Sequence, residues 1–193
     1  YYKNLLLEKN IIRNLLHFST CIFPISLYHF GQEICLPYFI TIGLLFLICD
    51  ISRIKIKKIS DLYDHFFNTM AKNHEKISLT GASYVFISLI IVNLFFSEKI
   101  VIVSLLIMSI SDPIAAIVGR WVGQLKIYNK TLEGAIAFFI ATSIILTNFD
   151  FSSIQIVVVA LVCCIVELFS TKLTRFDDNL LIPIVASLTL RVL

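Results

Sequence analysis

Four groups of residues in this chain have types and spacings suited to chemistry. Asp112, followed by Pro113, lies inside a long apolar run. Gly119, Arg120, Gly123 and Lys126 come next, and then Lys130, Thr131, Glu133 and Gly134 open a second apolar run. Glu167 falls within a third, and Asp177, Asp178 and Asn179 directly precede a fourth. Carboxylates beside an amide offer hard oxygen ligands for a divalent cation such as magnesium. Glycines permit close backbone approach to phosphates, while Arg and Lys supply positive charge. These types together suit a site for a metal-associated polyphosphate.

Each group has a structural alternative. Asp112 is expected about 9 Å inside the end of its helix, at 1.5 Å rise per residue. A carboxylate in a bilayer is costly unless it is paired, hydrated or metal-bound, so it is a magnesium ligand or the cap of a helix broken at Pro113. Gly119 and Gly123 have the spacing that lets helices approach closely. They do not belong to a Walker loop, because Gly123 is followed by Gln124 and Leu125 and no Gly-Lys-Ser/Thr occurs. Lys126 and Lys130 either bind a polyanion or anchor the chain at a membrane face. The amides of the turn at Thr131–Gly134 open a helix and would favour phosphate there. Asp177, Asp178 and Asn179 are magnesium ligands or an N-cap. Glu167 is a lysine's partner or a metal ligand.

The elements that must position these residues are membrane helices. Hydrophobic residues make up 58% of the 193, and charged residues only 15%, against roughly 25% in soluble domains. The apolar runs fall at 11–28, 34–51, 79–96, 100–118, 132–147, 154–169 and 180–193; the first is interrupted by Arg13 and His17, and the last is short of the length needed to cross a bilayer and carries Arg191. The expected fold is all-α: a polytopic integral membrane protein of about seven transmembrane helices, forming one catalytic domain over residues 1–193. Residues 61–76 place Leu62, Phe66, Phe67 and Met70 at near-helical spacing, which predicts an amphipathic surface helix. The five cysteines all lie in apolar runs without metal-site spacing and suit packing. The chain opens Tyr1-Tyr2-Lys3 without a Met or a cleavable signal pattern, and the early apolar run reads as a retained span.

If the spans alternate from a cytoplasmic N-terminus, fourteen of the sixteen Lys and Arg residues fall on the cytoplasmic side, a strong positive-inside bias. Arg53, Lys55, Lys57 and Lys58 then meet anionic lipid headgroups or simply anchor the topology. His17, Asp112, the 120–134 stretch, Glu167 and Asp177–Asn179 collect near that same face. This suits an enzyme bringing a cytosolic substrate to a lipid better than a transporter with a midplane site. No nucleic-acid partner is expected.

The run Ser111-Asp112-Pro113-x-Ala115-Ala116-x-x-Gly119-Arg120-x-x-Gly123, followed by Lys130-Thr131-x-Glu133-Gly134, resembles the CTP-dependent lipid kinases: the dolichol kinase, phytol kinase and CTP-dependent diacylglycerol kinase group, related to phosphatidate cytidylyltransferases. The resemblance extends to His74-Glu75 with Leu79-Thr80-Gly81-Ala82-Ser83-Tyr84, and to Glu167-Leu168-x-Ser170 with Asp177-Asp178-Asn179-x-x-Ile182-Pro183. At the N-terminus Glu8, Arg13, Asn14 and His17 approximate the family's Glu, Arg-Lys and His, with Asn14 in place of the lysine. The resemblance implies transfer of the γ-phosphate of CTP to a lipid alcohol (a polyprenol, phytol-like alcohol or diacylglycerol) with magnesium or another divalent cation. The alternative it implies is a cytidylyltransferase making CDP-diacylglycerol. It assigns Asp112, Gly119, Arg120, Gly123, Lys130, Thr131, Glu133 and Gly134 to the nucleotide site, which Lys126 joins by its charge and position in the sequence. Asp112, Asp178 and Asn179 would hold the metal, with Asp112, Asp177 and Asp178 catalytic.

Overall fold

The structure, a computed structural model, describes residues 2–61, 79–173 and 177–193, with side chains described over 11–61, 79–169 and 177–193. The expected surface helix at 61–76, with His74 and Glu75, lies outside the described residues apart from Asp61. The chain is mostly helical. Its helices are α1 (Tyr2–Ser19), α2 (Ile22–Phe30), α3 (Gln32–Lys55), α4 (Gly81–Phe95), α5 (Glu98–Leu106), α6 (Asp112–Trp121), α7 (Leu132–Thr147), α8 (Ser153–Leu173) and α9 (Asp178–Val192). A π-helical segment, Ile107–Ser111, joins α5 to α6, and a two-stranded antiparallel hairpin, Lys126–Ile127 with Lys130–Thr131, joins α6 to α7.

Two helices are long and apolar enough to cross a membrane among the described residues: Gln32–Lys55 and the continuous rod Glu98–Trp121. Gly81–Phe95, Leu132–Thr147 and Ser153–Phe169 are shorter apolar helices. The two long helices differ in burial. Of the most apolar window, 61% is buried in the Glu98–Trp121 rod and 22% in Gln32–Lys55. The rod is therefore the centre of the bundle and α3 its periphery. Helices α1 and α7 pack on the rod's π and α6 portions, α9 packs on its α5 and π portions, α2 packs on α5, and α4 bridges α3 and α9. Helix α3 exposes Leu44, Leu45, Phe46 and Ile48, an apolar outer face that is unfavourable in water.

Two expectations change here. The run at 11–28 is not one helix but α1 and α2, separated at Thr20–Cys21. Thr20 donates its hydroxyl to the His17 carbonyl at 2.6 Å, and Pro24 lacks the N–H that would bond to the Thr20 carbonyl. Pro113, in contrast, does not end its helix. The π segment immediately before it widens the turn where the proline ring would meet the Ser109 carbonyl. Because the helix runs on to Trp121, Asp112 lies about 14 Å from its end rather than about 9 Å.

Candidate functional site

The Lys130 ammonium is the focus of the site. Its Nζ lies 2.7 Å from Glu167 Oε1, 3.0 Å from Asp178 Oδ2 and 4.0 Å from Asp112 Oδ1. On the other side of Asp112, Oδ2 lies 3.5 Å from His17 Nδ1. Five elements thus contribute: α1, α6, the hairpin, α8 and the start of α9. The side chains of Lys130, Asp112 and Asp178 are 18%, 14% and 14% exposed, and Glu167 only 5%, so the cluster is not sealed. Burial alone lowers the pKa of Lys130. The carboxylates of Asp178, Asp112 and Glu167 outweigh it and hold the ammonium above the ordinary lysine value.

Small polar contacts fix the depth of Asp112. Ser109 Oγ and Thr20 Oγ1 are 2.7 Å apart, tying the π segment to the α1–α2 break. Thr142 Oγ1 donates to Ser111 Oγ at 3.0 Å, tying it to α7. π segments recur at functional sites because the extra residue re-aims the side chains that follow; here the next side chain is Asp112.

The hairpin is held by the residues expected to meet a nucleotide. Thr131 caps α7, accepting from the Gly134 N–H at 3.2 Å. Glu133 Oε1 accepts from the N–H groups of Gln124 and Leu125 at 3.0 and 3.1 Å, closing the loop. A Cβ on Gly119 would lie 2.6 Å from Thr131 Oγ1, one on Gly134 would lie 2.8 Å from the Ala115 carbonyl oxygen, and one on Gly123 would overlap the Gly119 carbonyl oxygen. The missing side chains are thus used to seat Thr131 and the start of α7 against α6. Tyr128 takes a left-handed φ of 57° in the hairpin turn, uncommon for a bulky residue, and its ring packs edge-on against Phe169 of α8. Arg120 and Lys126 are exposed, and Arg120 feels the charges of Arg13 and Asp112.

At the start of α9 the three expected ligands separate. Asp177 is the N-cap, its carboxylate accepting from the Asn179 N–H at 3.1 Å. Asp178 faces Lys130. Asn179 is buried, with Nδ2 3.5 Å from the Gly81 carbonyl oxygen. Among the described residues no three or more His, Cys, Asp or Glu side chains are grouped to hold a metal. Magnesium rarely needs such a cage, since it is commonly bound by one or two carboxylates plus substrate phosphates. Asp112 and Asp178, which share Lys130 as a neighbour, fit that role.

Sequence reasoning left Glu167 open between two roles, and the structure gives it the lysine. It missed a second cluster, in which Asp50 and Arg53 meet Thr80 and Ser83. The available signal was an Asp and an Arg at i, i+3, which face each other on a helix, with the Asp inside an apolar run.

Fold and site define an α-helical protein with two helices long and apolar enough to cross a membrane among its described residues and an acid–lysine cluster. The chain is 31% identical over 184 residues to uncharacterized protein RP860 of Rickettsia prowazekii (strain Madrid E), covering 89% of this chain and 88% of that one. It is also 31% identical over 186 residues to uncharacterized protein MJ1137 of Methanocaldococcus jannaschii, covering 93% and 91%. The chain belongs to the family of these two proteins. No protein-family model and no solved structure matches it.

Proposed function

We propose that this protein is a multi-pass membrane enzyme of about seven spans that transfers the γ-phosphate of CTP to a lipid alcohol at the cytoplasmic face. The observation that carries the proposal is the convergence of Asp112, Glu167 and Asp178 on Lys130 within an apolar bundle. Magnesium is commonly bound by one or two carboxylates plus substrate phosphates, and Asp112 and Asp178 are placed for that. The exposed Arg120 and Lys126 lie on the same α6–hairpin stretch, where an incoming polyphosphate finds positive charge. Phosphoryl transfer asks for this positioning and charge and for little covalent chemistry from the protein.

In the reaction the lipid hydroxyl oxygen bonds to the γ-phosphorus, the bond to the β-phosphate oxygen breaks, and CDP leaves. Asp112 and Asp178 would hold magnesium, which when bound neutralises charge building on the phosphates. Lys130 exchanges a carboxylate partner for a phosphate oxygen. Asp112 Oδ2, steadied by His17 Nδ1, accepts the hydroxyl proton. Asp112 is set deep in the rod, where the hydroxyl of a lipid reaches from the apolar side. Its partners Lys130 and Asp178 stand on a hairpin and a helix start, which suits an enzyme better than a transporter with a midplane site.

The test is label transfer by purified protein with magnesium and extracted membrane lipids. γ-labelled CTP is expected to label the lipid and α-labelled CTP not to. α-Label in the lipid identifies a cytidylyltransferase instead, and label from neither removes the proposal.

A further inference from the structure

Asp50 and Arg53 form a charged cluster apart from the Lys130 site. Both sit on α3, and their side chains are only 5% and 3% exposed. Arg53 Nε and Nη2 each lie 3.2 Å from Asp50 Oδ1. Asp50 Oδ2 accepts from the Thr80 N–H at 2.7 Å, from Thr80 Oγ1 at 2.7 Å and from Ser83 Oγ at 2.6 Å. A carboxylate on α3 thereby holds the first turn of α4, where unpaired N–H groups and the helix dipole favour an anion.

A buried ion pair is weak evidence of stability, because apolar residues of the same volume often serve as well. What this one supplies is geometry. Helix α4 packs along α9. The Gly81 carbonyl, one residue after Thr80, faces Nδ2 of Asn179 in the first turn of α9. Asn179 follows Asp178, whose Oδ2 accepts from Lys130 Nζ. A short path of one helix turn, one amide contact and one peptide bond connects the two clusters.

We infer that Asp50 and Arg53 are positioning residues for the Lys130 site, fixing through Thr80, Gly81 and Asn179 where Asp178 meets Lys130. The inference rests on the proposed kinase only in its kinetic arm. The main test uses the full chain in detergent and reads protection of Lys130 against reductive methylation by mass spectrometry, with the exposed Lys126 as internal reference. Asp50→Asn removes the charge but leaves Arg53 without its carboxylate. The double variant Thr80→Val with Ser83→Ala, which keeps the ion pair, is therefore run beside it. Val92→Ala, a truncation at a fully buried position of the same helix, controls for general loosening.

Lys130 is expected to label roughly tenfold faster relative to Lys126 in both cluster variants, a size typical of groups coupled in one network, and not in Val92→Ala. Unchanged Lys130 protection in the double variant overturns the inference, as does equal exposure in Val92→Ala. In the kinetic arm kcat falls while KM for CTP holds, the signature of an interaction made in the transition state; a raised KM with unchanged kcat overturns the positioning role. Should the wild-type protein move no phosphate from CTP while Lys130 protection still responds to the cluster, the kinase proposal fails and the positioning stands.

Discussion

The two charged clusters of this protein are built on opposite principles. At Asp50 one carboxylate is matched by one guanidinium and three further donors, and both charged side chains are almost sealed from solvent. At Lys130 three carboxylates share one ammonium, and three of the four side chains keep some exposure. Burying a charge is costly unless it is paired and hydrogen-bonded, so the Asp50 cluster, with its ion pair and three donors, can be closed. The Lys130 cluster keeps some exposure, the access that the proposed nucleotide and cation need. On the proposed reading, access separates a cluster that holds the fold from one that does chemistry.

The largest effect expected is at the Lys130 cluster. Asp112→Asn keeps the shape of the side chain and removes its charge. Label transfer from CTP should fall about a thousandfold, the scale of losing one electrostatic contact to a transition state, with expression and membrane insertion intact. An active Asp112→Asn protein removes Asp112 from the metal and the proton step and erases the contrast. At the Asp50 cluster the expected loss is in stability. Asp50→Ala removes the carboxylate that meets Arg53, Thr80 and Ser83 and should cost about 3–5 kcal/mol, read from thermal unfolding in detergent. A midpoint like that of the wild type would mean that the carboxylate does not hold α3 to α4.

A third effect is smaller and separates the clusters by pH. The Lys130 pKa is raised in the folded protein, since its carboxylate neighbours outweigh burial. Its contribution is therefore whole below the unfolded lysine value, about 10.4, and is lost as pH rises toward the folded value. Between those two values wild-type stability should fall more steeply than that of Lys130→Met, by about 1.4 kcal/mol per pH unit. Parallel curves for the two proteins would mean that the carboxylates do not hold the ammonium. The smallest effect is at Thr80→Val, which removes one hydroxyl donor from Asp50 and should cost about 1 kcal/mol; a loss as large as that of Asp50→Ala would make the hydroxyl, not the charge, the core of the cluster.

Much of the site was legible along the chain because its residues stand out locally. Asp112 and Glu167 interrupt apolar runs, and Lys130 and Asp178 sit at the starts of helices. The glycines were legible as special but not as to purpose. A glycine tells that something approaches closely, and only packing shows that the neighbour at Gly119 is Thr131. Glu133 likewise closes its own loop through the Gln124 and Leu125 amides. Asp50 was passed over because its partners Thr80 and Ser83 lie about thirty residues away, and the neighbouring lysines made Arg53 look like one more basic anchor.

By itself the sequence determined that the chain is helical and rich in apolar runs, that its basic residues are asymmetrically distributed, and which residue types are available for chemistry. These follow from composition and short-range periodicity, which act within a few residues of one another. Tertiary structure alone decided that Lys130 enters the carboxylates of Asp112, Glu167 and Asp178, that Pro113 is absorbed by a π turn instead of breaking the rod, and that Asp50 reaches the start of α4. Those outcomes depend on how helices seat against one another. A shift of one residue in that seating turns a side chain by about 100° around its helix, so no local pattern specifies which distant groups will meet.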